Sequence, residues 1–416
     1  MSTLGLDGIL PWAQARHVAS TCARPLPSAA ARLDEAGGHR LCSPLVTSQD
    51  DPPADCSAQA GFAVRGEGPW LVSEAVTDVV TPGHAVPLAA GEPVPRHTDA
   101  VLSADAAITE QRRDGRTLVV ALDPLTDLPD EALRPEFGSG IVTKAQVAKA
   151  GHVLAPAGTL VTTSVLALAA AAGHDDVPII RPPVVGLLVL GGALLDRGLP
   201  RNRRVRDALG PSIPAYIGSL GARGNPAVRA PDTADLLLRE IEDAAVDVLI
   251  TTGSTASGPD NHLRRVLGDL GARWLVDGVA VTPGAQMLLA RLPDGRFLIG
   301  LPGQPASALA GLLTLASPLI RAMRDDPLST ARRTAVLVDD APLADYADDT
   351  ALVPVSIDVS SAATSARPLP ANGPAGLGGW AVADAIAVVP PGAGLRGDVV
   401  DLLDVLGRED WPGWSG

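Results

Sequence analysis

The sequence is poor in aromatic residues, cysteine and lysine. Aromatic side chains make up 3% of the 416 residues, so the core has to be built mainly from Ala, Val and Leu. The three cysteines, Cys22, Cys42 and Cys56, include no C-x-x-C pair, which argues against a zinc site or a dithiol redox motif. Their low, odd number argues against a secreted disulfide scaffold. Because Lys144 and Lys149 are the two lysines, a cationic site has to depend on arginine or on a bound metal.

The formal net charge of −14 shows that acidic residues outnumber basic ones. An acidic field repels phosphates, so we expect no nucleic-acid partner, although backbone N–H groups at a helix start can still bind a small anion. The N-terminal residues contain no basic region followed by an apolar run, and the apolar stretch 165–172 is too short to span a membrane. We therefore expect a cytoplasmic protein without a signal peptide or a membrane partner.

The first 180 residues change pattern several times, and a chain of 416 residues is long enough for several domains. Residues 11–42 are predicted to be helical from their one-sided apolar pattern. Residues 43–140 are rich in Pro, Gly, Val and Thr in short alternating runs, which predicts a small β domain. A helix is predicted again over 162–173, with Gly173 as its C-cap.

The clearest pattern lies in residues 184–325, where continuous apolar runs alternate with amphipathic ones. The predicted elements are strand 184–190, helix 233–245, strand 246–254, helix 260–272, and a strand, a turn and a long helix over 296–323. This alternation predicts a doubly wound parallel sheet, and such sheets bind ligands at the carboxyl ends of their strands. Short Val-rich runs in 331–416 predict a small β-rich C-terminal domain.

Residues 249–262 combine a buried strand with a glycine-bearing loop and are a candidate anion cradle. Glycines let the backbone approach a phosphate, while hydroxyl and N–H groups donate to it. Asp260 is a candidate Mg²⁺ ligand beside that phosphate. The pattern is equally compatible with a tight connection in which Asp260 caps the next helix. The candidate binding residues of this loop are Thr252, Gly253, Ser254, Thr255, Gly258 and Asp260.

Residues 300–308, Gly-Leu-Pro-Gly-Gln-Pro-Ala-Ser-Ala, form a second candidate loop. Their glycines and prolines predict a rigid strand-to-helix turn, with Pro305 in the first helical turn. At the same sheet edge as the first loop, this turn would form the other lip of a ligand crevice. The simpler interpretation is a helix start with a stiff entry. The candidate binding residues are Pro302, Gly303, Gln304, Pro305 and Ser307.

A third segment, residues 55–66, runs Asp-Cys-Ser-Ala-Gln-Ala-Gly-Phe-Ala-Val-Arg-Gly and follows Ser43-Pro44. Asp55 and Ser57 stand before a strand of alternating apolar character. Taken alone, this pattern is typical of a turn that enters a strand.

Together the three segments resemble the MoeA and gephyrin-E-domain family of molybdopterin molybdenumtransferases. Residues 55–65 are similar to the family's Asp-x-Ser-x-Met-Asp-Gly-Tyr/Phe-Ala-Val-Arg, and residues 300–307 to its Gly-Leu-Pro-Gly-Asn-Pro-Val-Ser. Residues 90–102, 150–161 and 373–394 resemble further family segments in the same order, so the resemblance covers nearly the whole chain.

The resemblance implies the insertion of molybdate into adenylylated molybdopterin, with Mg²⁺ as cofactor, in a homodimer. It implies a catalytic role for Asp55, Ser57 and Asp207, and Asp260 remains the candidate metal ligand. The fold implied is a multidomain α/β chain, in which a helical N-terminal part carries an inserted β domain. The implied domains are 1–45 with 141–180 (helical linker), 46–140 (inserted β domain), 181–328 (molybdopterin-binding α/β domain) and 329–416 (β-barrel-like C-terminal domain).

The chain departs from the family at charged positions. Family acids fall on Ala60 and, by ungapped spacing, on the segments Ala145-Gln146-Val147 and Gly192-Ala193, and family lysines fall on Thr282 and Ala285. Carboxylates would hold Mg²⁺ and lysines would neutralise molybdate or phosphate. Losing one such preorganised charge typically costs roughly 100-fold in rate.

Three hypotheses follow from the resemblance and from these departures. The chain is a molybdenumtransferase in which other charges substitute, for example Arg201, Arg203, Arg204 and Arg206, although a solvated loop is the plainer reading of these arginines. It is a catalytically impaired relative that binds molybdopterin or scaffolds a partner. Or it is an α/β enzyme that uses the same fold for another phosphorylated ligand.

Overall fold

The computed structural model describes residues 8–73, 78–256, 258, 262–326, 333–342, 344–359 and 364–405. Their helices are α1 (Trp12–Thr21), α2 (Thr163–Ala171), α3 (Leu209–Ser219), α4 (Ala234–Asp243), α5 (Leu263–Asp269), α6 (Pro305–Gly311), α7 (Ser317–Met323) and α8 (Gly378–Val382). A π-helical turn, Leu312–Ala316, joins α6 to α7 in one continuous helix, Pro305–Met323.

Twenty-eight strands are present among the described residues. Those of the first 180 residues are β1 (Leu10–Pro11), β2 (Ser28–Arg32), β3 (Leu45–Val46), β4 (Cys56–Ser57), β5 (Gly61–Val64), β6 (Trp70–Val72), β7 (His84–Leu88), β8 (Ala100–Ser103), β9 (Ala107–Gln111), β10 (Thr117–Ala121), β11 (Ile141–Val142), β12 (Val153–Ala155) and β13 (Asp176–Ile180). The strands that follow are β14 (Val184–Leu190), β15 (Leu194–Leu195), β16 (Val205–Arg206), β17 (Arg223–Gly224), β18 (Val228–Ala230), β19 (Val248–Thr252), β20 (Arg273–Asp277), β21 (Val279–Thr282), β22 (Leu288–Arg291), β23 (Phe297–Leu301), β24 (Arg333–Leu337), β25 (Thr350–Val359), β26 (Thr364–Pro368), β27 (Ala385–Val389) and β28 (Val399–Asp404).

The chain folds into two compact units. The larger unit consists of Met1–Ala31, Ala36–Cys42 and Pro178–Gly416, and the smaller unit of Arg32–Glu35 and Ser43–Val177. The larger unit holds the α/β sheet and the C-terminal strands.

A mostly parallel sheet is the centre of the larger unit, with strand order β17-β14-β19-β23-β22-β20. Strands β17, β14, β19 and β23 are parallel, and β22 and β20 add an antiparallel edge. The predicted strand 184–190 is confirmed at both ends, and every residue from Gly186 to Leu190 is buried. The predicted parallel sheet is therefore confirmed.

Successive residues of the central strands face two different cores, as the two-residue period of a strand requires. Leu187, Ile250 and Ile299 pack with α1, α3 and the long helix. Leu188, Leu249 and Leu298 pack on the other side, against α4 and α5. Helices on both faces explain why these strands are apolar throughout instead of alternating.

The C-terminal strands close into a barrel. Strands β25, β26, β24 and β28 pair in that order, β28 pairs with β27, and β27 pairs back to β25. The interior is filled by small apolar side chains, such as Ala335, Val353 and Ala387. The predicted β-rich C-terminal domain is confirmed, and β21 and β1 extend its sheet outward from β25.

The smaller unit contains a six-stranded sheet with strand order β8-β5-β7-β6-β10-β9. Its core includes Val64, Trp70 and Val119. A β-rich structure was predicted for this part of the sequence from its short alternating runs.

The expectation of a helical N-terminal part is wrong, because that part is largely β. Only Trp12–Thr21 of the predicted helix 11–42 is helical, and Ser28–Arg32 form a strand. Pro25 and Pro27 explain the difference, since proline lacks the N–H that a helix interior needs and disfavours helical backbone in the residue before it. Of residues 141–180, Thr163–Ala171 are helical and three strands surround them.

One helix among the described residues, Pro305–Met323, is long and apolar enough to cross a membrane. Of its most apolar window, 78% is buried inside the protein. A buried core helix of the α/β unit accounts for its composition.

Candidate functional site

Three neighbouring strands of the parallel sheet end side by side. Val189 of β14, Thr252 of β19 and Leu301 of β23 lie in register. Each strand is followed within two residues by a glycine, and the carboxyl edge of a parallel sheet is where such folds place ligands. These glycines are Gly191 and Gly192 after β14, Gly253 after β19 and Gly303 after β23.

The two candidate loops touch each other through Gly253 and Gly303. The Gly253 N–H donates to the Leu301 carbonyl at 2.8 Å. A Cβ placed on Gly303 would lie 3.5 Å from the Gly253 Cα, and a Cβ on Gly253 would lie 3.3 Å from the Leu190 carbonyl oxygen. Gly253 has a φ of +89°, a left-handed conformation that glycine adopts without strain. Glycine is thus required at Gly253 by both backbone conformation and space.

Ser254 and Thr255 continue the first loop. Ser254 has a φ of +59°, and its hydroxyl oxygen accepts from the Leu263 N–H, at the start of α5, at 3.3 Å. Thr255 is buried, and its carbonyl accepts from Arg264 Nε at 3.1 Å. Gly258 is exposed, while Asp260, the predicted metal ligand, lies outside the described residues.

Gln304 begins the long helix and reaches a loop of the C-terminal part. Its side-chain oxygen accepts from the Ser307 N–H at 2.6 Å, which makes Gln304 the N-cap, and Pro305 is the first helical residue as the sequence predicts. Its amide nitrogen donates to the Ala375 carbonyl at 3.4 Å. Gly303 and Gln304 are exposed and Pro302 is buried, so the turn that would form this lip of the predicted crevice is accessible to solvent.

The turn Thr282-Pro283-Gly284-Ala285 packs against the start of the same helix. A Cβ on Gly284 would lie 3.1 Å from the Ser307 carbonyl oxygen. Thr282 donates to Asp349 Oδ2 at 2.9 Å, and Asp349 is buried, with 7% of its surface exposed. The sequence contains no motif that singles out Asp349, because the partner on which its position depends is 67 residues away.

Asp207, predicted to be catalytic, is almost fully buried at the start of α3. Its Oδ1 accepts from the N–H groups of Leu209 and Gly210 at 3.0 and 2.8 Å, and Arg229 is paired with its Oδ2 at 2.7 Å. Arg229 lies beside Val189 at the end of β14, and sequence reasoning missed it. In this arrangement the Asp207 carboxylate holds the helix start and is neutralised by Arg229.

The arginine-rich segment 201–206 is exposed along its length. Backbone hydrogen bonds join Arg201 to Arg204 in a turn, and Arg206 donates to the Leu195 carbonyl at 3.0 Å. The solvated-loop interpretation describes this segment better than a charged pocket does.

Asp55 and Ser57 belong to the smaller unit, whereas the other described candidates belong to the larger one. Asp55 Oδ1 accepts from the Lys144 N–H at 2.7 Å. Ser57 is buried, pairs with Ile141 and donates to the Gln59 carbonyl. The structure therefore brings the Asp55–Ser57 segment next to the segment around Lys144, where the family places acids. The catalytic role of both residues stays a prediction.

Within the described residues, no three side chains of His, Cys, Asp or Glu come close enough together to hold a metal ion. At the crevice, the positions of family acids carry Gly192 and Ala193. Since Asp260 lies outside the described residues, Mg²⁺ binding by this chain stays a prediction.

The amino ends of the same strands are built differently. Asp247, just before β19, accepts from two nitrogens of Arg181 at 2.7 and 2.9 Å and from the Val184 N–H at 2.8 Å. Burial would raise the pKa of Asp247, but the hydrogen bonds from Arg181 and Val184 outweigh it and hold the pKa below its usual value. Arg296, just before β23, pairs with Asp294 at 2.6 Å.

Two family patterns match the sequence. Residues 10–173 match the MoeA N-terminal region (domain I and II), and residues 186–322 match the family described as a probable molybdopterin binding domain. The chain belongs to the MoeA family. The domain arrangement of that family explains why a β-rich N-terminal region precedes the parallel sheet.

Named relatives agree with this membership. The chain is 28% identical over 361 residues to a molybdopterin molybdenumtransferase of Bacillus subtilis, covering 79% of this chain and 81% of that one. It is 26% identical over 310 residues to one from Staphylococcus aureus, covering 72% of each chain. The crystal structure of a molybdopterin biosynthesis MoeA protein from Pyrococcus horikosii has the same fold, with a TM-score of 0.72 and 21% identity over 97% of this chain and all of that one.

Proposed function

We propose that this chain binds adenylylated molybdopterin and inserts molybdate into it, as a molybdopterin molybdenumtransferase of molybdenum-cofactor biosynthesis. The observation that carries the proposal is the contact of Gly253 with Gly303 at the carboxyl edge of the parallel sheet. Family membership and the names of the relatives support the same substrate.

The crevice suits a phosphorylated ligand through its backbone. The loop 252–255 lines one lip, and the turn 302–304 lines the other. The long helix begins at Pro305, directly after that turn, so its positive end lies at the crevice, where an anion is favoured. Glycines at Gly253 and Gly303 keep side chains out of the contact between the lips. We infer that the phosphate groups of the ligand lie here and the pterin extends along the sheet edge.

A second candidate function is binding without efficient turnover. The described part of the crevice has Gly192 and Ala193 in place of family acids and Thr282 and Ala285 in place of family lysines. The third possibility, another phosphorylated ligand, has no motif of its own in the sequence.

The deciding experiment measures molybdenum insertion with adenylylated molybdopterin, molybdate and Mg²⁺, alongside binding of molybdopterin to the same protein. Turnover above a protein-free control supports the transferase. Tight binding without turnover supports the impaired relative. Absence of both contradicts the assignment of the crevice and directs attention to other phosphorylated ligands.

A restoration variant separates the first two outcomes. The double change Gly192→Asp and Ala193→Glu returns acids to the positions where the family has them. No heavy atom of the described residues lies within 4 Å of a Cβ on Gly192, so a Cβ has open space there. If missing acids limit the reaction, insertion rises by roughly 100-fold, the size of one preorganised charge. Gly268→Asp is the matched control, since Gly268 has equally open surroundings on α5.

We further propose that the chain is a homodimer, as the family resemblance implies. Analytical ultracentrifugation of the full chain tests this directly, and a monomer at all concentrations used in the insertion assay would contradict it. The domain boundaries implied by the resemblance are likewise proposals, which limited proteolysis would test through the positions of the first cleavages.

A further inference from the structure

An open groove lies away from the ligand crevice in the larger unit. It has a cavity volume of about 880 Å³ and is bounded by α3, the long helix and α8. This volume falls within the range of about 300–1,000 Å³ that is typical of pockets for drug-sized ligands, so there is room for large apolar side chains. The residues that define this α8 groove are Tyr216, Leu309, Leu312, Leu377, Trp380 and Val405.

The α8 groove is apolar because polar groups that line it already form hydrogen bonds within the protein. The Ser212 hydroxyl donates to the Ala208 carbonyl at 2.9 Å, and the Ser219 hydroxyl donates to the Tyr216 carbonyl at 2.7 Å. Asp384 accepts from the Ile357 N–H at 2.9 Å. An occupant therefore gains mainly by removing apolar surface from water, and a charged occupant would gain little.

Val382 leaves an apolar side chain exposed at this groove. It is 67% exposed at the end of α8, while its neighbour Trp380 is 8% exposed. The short helix α8 therefore places Trp380 in the core and Val382 in solvent. Among the described residues, no element covers the outer part of the groove wall. A segment that covers this part of the groove has to come from residues other than the described ones, or from another molecule.

The sequence supplies such a segment at the required place. Val405, the last described residue, lines the groove, and residues 406–416 follow it. Trp411 is six residues after Val405, and six residues of extended chain span about 20 Å. That reach exceeds the width of a cavity of this volume. The segment also contains a second tryptophan, Trp414.

We propose that residues 406–416 dock in the α8 groove of their own chain, with Trp411 and Trp414 as the apolar anchors. Indoles are suited to this role because each buries a large apolar surface at a low cost in side-chain entropy. The docked segment would tie α8, next to the barrel, to α3 and the long helix of the α/β sheet.

The test uses a labelled peptide of residues 406–416 and the full-length chain. Wild-type protein is expected to bind the peptide poorly, because its own segment fills the groove. The double variant Trp411→Ala and Trp414→Ala is expected to bind it at least roughly tenfold more tightly, a difference of about 1.4 kcal/mol. Equal binding to both proteins, or to neither, would overturn the proposal.

A pair of matched substitutions locates the binding surface in the double-variant background. Val382→Asp adds a charge inside the groove and is expected to weaken peptide binding at least tenfold. Val399→Asp is the control, because Val399 is 65% exposed, almost as much as Val382, but lies on β28 outside the groove. An equal effect of both changes would place the peptide elsewhere.

Two further measurements exclude other occupants. Thermal melting of each variant checks that the protein remains folded, since both valines are largely exposed. Analytical ultracentrifugation compares wild-type protein with the double variant. A self-association that disappears with the two tryptophans would mean that a second copy supplies the segment, and would overturn docking within one chain.

Discussion

The two ends of the parallel sheet are held together by different kinds of contact, although the same strands form both ends. At the carboxyl ends, Gly253 and Gly303 meet through backbone atoms, and no family charge is kept at Gly192 or Ala193. At the amino ends, Asp247 with Arg181 forms a hydrogen-bonded ion pair. The comparison teaches that the loops after β19 and β23 meet through glycine backbone, whereas the amino end of β19 is joined to its neighbour through charged side chains.

The difference has a physical basis. A ligand edge needs space for a substrate and backbone groups that face it, which glycine provides. At the opposite edge, charged side chains join strands to their neighbours, as Arg181 joins β14 to Asp247. We therefore expect changes at the carboxyl edge to alter ligand binding, and changes at the amino edge to alter stability.

The largest effect is expected from Gly303→Val at the carboxyl edge. A Cβ on Gly303 already makes van der Waals contact with the Gly253 Cα at 3.5 Å, so the two further methyl groups of valine are expected to crowd the contact between the lips. A crowding cost of about 1–3 kcal/mol that falls on the bound state would lower molybdopterin affinity roughly 5- to 150-fold. Isothermal titration calorimetry measures the affinity. Gly268→Val, on the exposed face of α5, is the control, and an equal loss in both variants would contradict the role of the crevice.

Asp247→Asn is expected to lower the free energy of unfolding by about 1–3 kcal/mol and to leave ligand affinity unchanged. The effect is smaller than for a fully buried pair, because the Arg181 side chain is 36% exposed. Chemical denaturation measures it. Asp294→Asn removes the acid of a more exposed pair, with Asp294 50% exposed, and should cost less.

The pH dependence of stability gives a second measure of the Asp247 pair. The pKa of Asp247 is lower in the folded protein than in the unfolded chain. Its contribution is therefore complete above the unfolded pKa of about 3.9 and is lost as the pH falls through the lowered folded value. The Asp247→Asn variant should lose less stability than the wild type over that acidic range. Parallel stability curves would contradict the assignment.

Gln304→Ala should have the smallest effect, because it removes a helix cap without filling the crevice. Loss of the bond to the Ser307 N–H is expected to cost about 1 kcal/mol of stability. Gln304→Asn, which introduces the family residue, is the matched control and should keep most of the cap. Thermal melting compares the two, and equal melting temperatures for Ala and wild type would show that the cap contributes nothing.

Much of the α/β fold was predictable because its signal is local. The strand 184–190 is a continuous apolar run, and Pro305 marks the start of the long helix. The prediction of a long helix over 11–42 is wrong because its one-sided apolar pattern is local, while Pro25 and Pro27 interrupt helical backbone. The candidate site was predictable as two loops, but Arg229 and Asp349 were missed, since their partners are distant in sequence.

The sequence by itself determined that residues 184–190 form a strand, that Pro305 begins a helix, and which loops contain glycine, because each of these is a property of a few neighbouring residues. Only the tertiary structure decided that Gly253 touches Gly303, that Asp207 is neutralised by Arg229, and that Val405 lines an apolar groove. Contacts of this kind depend on the register and packing of strands and helices far apart in the chain, which no local pattern specifies.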